Sequence, residues 1–165
     1  VISNHTQRKP RDWSFMQNVM IEPLYCETRI QMPVSQAGKT RDLDLSVKVL
    51  VGMTSSVWRE DSGAWLWGNN RLFAQSVSKE IFGLGTNRSI DGNTTGRVFL
   101  FVELEAENPR DIPWGAPIKW AYNPEHPVSK KLASELRLIA YRYLEISNRL
   151  YGLTEWYESN VVIEE

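Results

Sequence analysis

Lys119 is the side chain whose type and setting best fit it for chemistry. It sits between apolar Ile118 and Trp120, in a stretch from Asn108 to Pro124 that carries Pro109, Pro113, Pro117 and Pro124. Proline fixes φ and removes a backbone donor, so this stretch is predicted to be an ordered or mobile loop rather than a helix. Apolar neighbours would anchor the backbone and aim the ammonium, and a compact cation with three donors suits a terminal phosphate group. Against this stands the ordinary surface lysine, the commoner fate of the residue type.

Trp65 and Trp67 offer a second chemistry. They alternate in Trp65-Leu66-Trp67-Gly68-Asn69-Asn70-Arg71-Leu72-Phe73, so on a strand both rings project to one face. Rings so placed could stack on an unpaired base or dock on a protein. Seven tryptophans in 165 residues is also what a large core or an interface would use.

The remaining candidates read better as structure. Glu103, Glu105 and Glu107 share a strand face and could mimic paired catalytic acids, but like charges so close are expected at a solvated strand end. Cys26 lies inside a strand pattern, where a buried inert thiol outweighs a nucleophile. His126 stands at a helix start with no serine or cysteine motif beside it, and it is too far from His5 to share a metal. Gly83-Leu84-Gly85 and Gly92 to Gly96 lack the strand and helix context of a phosphate loop and are expected to be turns.

These residues need a sheet and a helix to hold them. Leu43, Leu45, Val47, Val49 and Val51 alternate with Asp44, Ser46 and Lys48, the clearest strand in the chain. Met20 to Met32 is a second strand, and Pro23 and Pro33 argue for an edge position or frayed ends. Val34 to Arg41 has the composition of an exposed turn. Two apolar runs flanking Gly68-Asn69-Asn70 predict a hairpin with a three-residue connection and a bulge. Arg97 to Ala106 is predicted as a strand buried on one side, with Phe99, Phe101, Glu103 and Glu105 on the other. From Val128 to Leu150, the residues Leu132, Leu136, Ile139, Tyr143, Ile146 and Leu150 recur at spacings of three and four, an amphipathic helix of about six turns with Gly152 as its cap. That stripe must pack on the sheet.

Composition bounds the reading. With 42% hydrophobic and 24% charged residues the chain suits one globular domain with a real core. The formal net charge of -1 leaves no overall basic footprint for nucleic acid, although a local basic patch stays open. No apolar run nears the ~20 residues of a membrane helix and no segment has signal-peptide layout, so no membrane partner is expected. A lone cysteine, Cys26, fits an intracellular setting, cytoplasmic or nuclear. The start at Val1 and the polar basic run that follows predict a linker or tail over residues 1–18, a folded unit over 19–152 and an acidic tail over 153–165, together a piece of something longer.

The block Gly63-Ala64-Trp65-Leu66-Trp67-Gly68-Asn69-Asn70-Arg71-Leu72, then Gly96-Arg97-Val98-Phe99-Leu100-Phe101-Val102-Glu103-Leu104, then Lys119, His126 and a long helix resembles the transducer (second) domain of GHKL ATPases. These are the gyrase, Hsp-chaperone, histidine-kinase and MutL superfamily, and the likeness, spanning about Leu43 to Leu150, is to the Morc-like branch. It implies an α+β fold, a mixed β-sheet covered on one face by helices, with the left-handed βαβ connection of a ribosomal-protein domain. It also implies that Lys119 reaches into a preceding nucleotide domain and touches the ATP γ-phosphate, and that Arg71 anchors the hairpin. The nucleotide domain itself has no counterpart here. By itself, then, the chain is expected not to be an enzyme, ATP and Mg²⁺ belonging only to the full-length protein. The implied partners are that upstream domain of the same polypeptide and, through the helix, a second copy in a homodimer. The rival expectation is a stand-alone module that binds protein or nucleic acid through the Trp65 and Trp67 hairpin.

Overall fold

The computed structural model describes residues 20–54, 63–77, 98–115 and 121–160, with side chains left aside at 20–22, 54, 76 and 148–160. The architecture is α+β, as the alternation and the helical stripe require. Strands β1 (Met20–Gln36), β2 (Lys39–Thr54), β3 (Gly63–Gly68), β4 (Arg71–Val77) and β5 (Val98–Glu105) form one sheet, followed by a 3₁₀ turn at Pro109–Asp111 and the helix α1 (Ser129–Asn160). Strand order is β1-β2-β5-β3-β4. β2 is antiparallel to both β1 and β5, and β3 is antiparallel to β4, while β3 and β5 run parallel, which makes the sheet mixed.

β1 is an edge, and its prolines fit that position. Pro23 falls at a register shift between Ile21 and Leu24, where no ladder bond is lost to its missing N–H. The exposed turn expected over Val34 to Arg41 shrinks to Ala37 and Gly38, both at positive φ, because strand pairing continues to Gln36 opposite Lys39. Two residues with positive φ match the twist of a hairpin, so the strands run to the turn itself. The β3–β4 connection is likewise two residues, Asn69 (φ 46) and Asn70 (φ 67), and not the expected three, since Gly68 pairs with Arg71 inside the ladder.

The core is a two-sided sheet. On one face Leu43, Leu45, Val47, Val49 and Val51 of β2 join Leu100, Val102 and Leu104 of β5 and Leu66 of β3 under α1. On the other face Leu50, Trp65, Trp67, Phe99 and Phe101 form a separate aromatic cluster, each at most 3% exposed. Phe99 and Phe101 stack with centroids 5.7 Å apart, and Phe101 lies 5.9 Å from Trp65 and 5.8 Å from Trp67. Offset ring packing of this kind adds to area burial.

The helix docks through Val128, Leu132, Leu136, Ala140, Tyr143 and Leu144, all buried. Ile146, expected on the stripe, is turned out at 51% exposure, and Ser147 takes the buried position beside Met53, its Oγ 3.8 Å from the Met53 Sδ. α1 has 32 residues, about 48 Å at the usual rise, and runs through Gly152 into the residues expected to be a tail. One glycine costs a helix only ~1 kcal/mol, too little to end it. Residues 1–18, expected to be a linker, lie outside the described residues. No helix among the described residues is long and apolar enough to cross a membrane.

The Tyr143 hydroxyl accepts the Met53 backbone N–H at 3.1 Å, joining α1 to the end of β2. Tyr143→Phe should lower stability by about 1–3 kcal/mol by leaving a buried donor unmet, read as a lower urea midpoint with an unchanged slope. An unmoved midpoint would show that the Met53 N–H has another acceptor.

Candidate functional site

The segment leaving β5 is fixed by short-range chemistry. Asn108 caps the 3₁₀ turn, its Oδ1 accepting the Arg110 N–H at 3.0 Å. Asp111, 3% exposed, then turns back to β2: its Oδ1 meets the Arg41 guanidinium and its Oδ2 accepts the Asp44 N–H at 3.1 Å. Fully buried Ile112 follows, and the Trp114 ring meets Phe73 of β4 edge-on at 5.9 Å.

From here the chain enters the loop of Lys119. Residues 116–120, Lys119 among them, lie outside the described residues, but both ends of the loop are tied. Trp114 faces Tyr122 across an isolated antiparallel bridge. The Gly115 N–H donates to the Ala121 carbonyl at 2.7 Å, and the Asn123 N–H to the Pro113 carbonyl at 2.8 Å. The residues on either side of 116–120 are therefore held together in one clamp. Burial pushes the Tyr122 hydroxyl above its ordinary range, so it stays a neutral member of that clamp.

His126 joins the clamp to α1. Its Nδ1 accepts the Val128 N–H at 3.1 Å, so its Nε2 carries the proton and donates to the Arg110 carbonyl at 2.7 Å. Both ring nitrogens are used, and the residue is a helix-start support, the structural reading expected of it. Ser129 adds a bond from its Oγ to the Asn123 carbonyl at 2.6 Å.

Between this segment and the far end of the β1–β2 hairpin lies a cleft of about 580 Å³, bounded by Val34, Arg41, Leu43, Arg110, Trp114 and Asn123 among others. Nothing in the strand or helix periodicity marks this cleft, because its walls come from four separate stretches. The one sequence signal is Arg110, a cation between the prolines of the loop.

The other candidates fall elsewhere. Trp65 and Trp67 lie on one face as expected, centroids 6.5 Å apart, and both rings are 2% exposed inside the aromatic cluster. As folded, neither presents a face to a base or a partner. Arg71 sits at the β3–β4 turn, paired with Gly68. That turn is bound to β5 through Asn69, whose N–H donates to the Leu104 carbonyl at 2.8 Å while its side chain exchanges two bonds with the Ala106 backbone. The half-buried Cys26 thiol is pushed up by burial, away from the thiolate. Among the described residues no group of three or more His, Cys, Asp or Glu could hold a metal ion.

Glu103 is half-buried opposite Lys48 on β2. Desolvation raises its carboxyl above the usual range and a shared hydrogen bond with Glu105 adds to this, while Lys48 pulls the other way. The acidic strip is thus a strand end carrying one uncomfortable carboxylate. No catalytic pair follows from it.

Among the described residues these observations define an α+β domain with a mixed five-stranded sheet, one docked helix, and a backbone clamp beside a cleft. No protein-family model matches the sequence, and no curated protein matches it.

Two substitutions probe this geometry. A Cβ at Gly68 would lie 2.8 Å from the Ile112 Cγ2 and 3.0 Å from the Trp114 Cζ3, so Gly68→Ala should destabilise by about 1–3 kcal/mol and shift the Trp114 side-chain resonances. An unchanged Trp114 environment would contradict the close approach. For Glu103 the sign follows from its raised folded pKa: the charged form opposes folding above that pKa, and the penalty fades as pH falls through it. Glu103→Gln should therefore raise the thermal midpoint at pH 7, with the gain shrinking towards pH 4. A gain that grows on acidification would reverse the assignment.

Proposed function

We propose that this chain is the transducer part of a GHKL-type ATPase, in which Lys119 contacts the γ-phosphate of ATP bound by an upstream nucleotide domain. Through α1 the chain passes the ATP state to downstream parts or to a second copy. One observation carries the reading. The loop that bears Lys119 starts and ends at a single clamp, Gly115 to Ala121 at 2.7 Å and Trp114 against Tyr122, seated on the end of a rigid sheet. Tying both ends of a short segment removes part of the chain entropy that a phosphate contact made from it would otherwise cost. The mixed sheet with a helix on one face is the architecture the resemblance implies, and His126 ties the clamp to the start of α1, which gives a phosphate contact a physical route to the helix. The left-handed βαβ connection and the Morc-like assignment belong to the same proposal.

The burial of Trp65 and Trp67 leaves the rival docking module without a presented ring, so it is not carried forward. Nor does the chain act as an enzyme alone under this reading, since the acid for Mg²⁺, the water-activating base and the purine pocket are assigned to the upstream domain.

Lys119→Ala in the longer polypeptide should lower ATP turnover by about tenfold to a thousandfold, the usual loss when one donor to developing charge is removed. Nucleotide binding measured with ADP should change little. Turnover equal to that of the parent would overturn the proposal, whatever the rest of the polypeptide does.

A further inference from the structure

The cleft beside the clamp carries chemistry of its own. At about 580 Å³ it falls within the ~300–1,000 Å³ typical of small-molecule sites. The apolar surface it presents is the half-buried Trp114 ring with Pro109 and Pro127, while Leu43 and Ile112 lie buried behind them. Among the described residues its charged lining is Arg41 and Arg110, with no carboxylate. Arg41 is already answered by Asp111 behind it. Arg110 is exposed and, among the described residues, has no ion pair.

Ser35 and Gln36 at the rim can each donate or accept, whereas Arg110 can only donate. The Asn123 Oδ1 is taken by the Glu125 N–H at 3.0 Å, which leaves its amide N–H groups as the recognition end of that side chain. His126 has both ring nitrogens committed to backbone groups and contributes shape rather than a proton. Apolar surface at Trp114, Pro109 and Pro127 beside the Arg110 guanidinium and the Asn123 amide suits an occupant with an apolar body and an acceptor head. One uncompensated cation matches a single negative charge, and the planar guanidinium fork pairs with a carboxylate through two parallel bonds. A phosphate dianion would bring a second charge with no partner, beside apolar surface that cannot hydrate it.

We propose that this cleft binds a small organic monocarboxylate, its hydrocarbon or aromatic body against Trp114, Pro109 and Pro127 and its carboxylate against Arg110 and the Asn123 amide. Arg110, Asn123 and Trp114 carry the recognition, so the site is tested apart from the transducer reading of Lys119.

The test is a titration of the chain with naphthoate, followed by backbone amide shifts and calorimetry. Saturable binding is expected with a Kd on the order of 0.1–1 mM, set by ligand size, with the largest shifts at Arg110, Ile112, Trp114 and Asn123. Naphthamide, of the same shape without the charge, should bind at least about tenfold more weakly. Arg110→Gln, an exposed change that leaves the urea midpoint where it was, should weaken naphthoate by a similar factor, and Arg110→Lys should recover part of it. Several results would overturn the proposal: equal affinity for naphthamide, unaltered affinity in Arg110→Gln, no saturation below about 5 mM, or shifts confined to other surfaces. Inorganic phosphate or an oligoglutamate peptide displacing naphthoate at lower concentration would do so too, by assigning the cleft to a different class of ligand.

Discussion

A carboxylate that is 3% exposed, Asp111, determines where everything after the sheet can go. It holds the Arg41 guanidinium with one oxygen and the Asp44 N–H with the other, so the turn that follows β5 is bolted to β2 across 67 residues of sequence. A buried acid of this kind is tolerable only if both oxygens are met, and meeting them fixes its backbone to within a bond length. Ile112 and Trp114 then have no freedom to sit anywhere but against Gly68, where a hydrogen in place of a side chain lets them approach. Clamp, cleft and helix start are laid down in order from that anchor.

Much of this was legible in the residues and some was not, for definite reasons. Local periodicity depends on neighbours two to four positions away, so the alternation of Leu43 to Val51 and the stripe from Leu132 to Tyr143 announced β2 and α1 directly. Turn length was harder to read, since Gly68-Asn69-Asn70 looks like a three-residue connection. The pairing of Gly68 with Arg71 is decided by how tightly the strand packs on Ile112, a contact more than forty residues away. The end of α1 was misread because glycine is a frequent stop signal but a weak one. As for the candidate site, the loop of Lys119 was marked by its prolines, whereas the cleft was invisible: its floor and rim come from β1, β2, the post-β5 turn and the approach to α1, and no local pattern joins them.

The aromatic cluster shows how one pattern can support opposed readings. Trp65 and Trp67 at alternate positions do share a face, and that is all alternation can say. Whether the face is wet depends on what else lies over it. Leu50 of β2 with Phe99 and Phe101 of β5 extends the two rings into a continuous apolar surface too large to leave in water, and all five side chains are at most 3% exposed. The sheet is accordingly buried on both faces at its centre, as strands in parallel pairs tend to be, and β3 with β5 is the parallel pair.

Stability is therefore unevenly distributed, and the cleft sits where it changes. At the sheet centre the side chains of β2, β3 and β5 are almost wholly removed from water. Along β1 the burial thins out: Leu24 and Tyr25 are exposed, and the bidentate Arg29–Asp44 pair that joins β1 to β2 is open to solvent, where ion pairs contribute little. Segments with few buried apolar contacts open locally at lower free energy than the core does. One wall of the cleft is the last part of this strand, where Val34 is buried in the core and Ser35 and Gln36 are exposed, and the opposite wall, Ile112 and Trp114, is fixed to the core through Asp111 and Gly68. A ligand bridging the two walls would gain from the rigid side without losing preorganisation, while the edge adjusts to its size at small cost. A pocket with one fixed wall and one yielding wall is what two-sided burial at a sheet's centre and one-sided burial at its edge produce together.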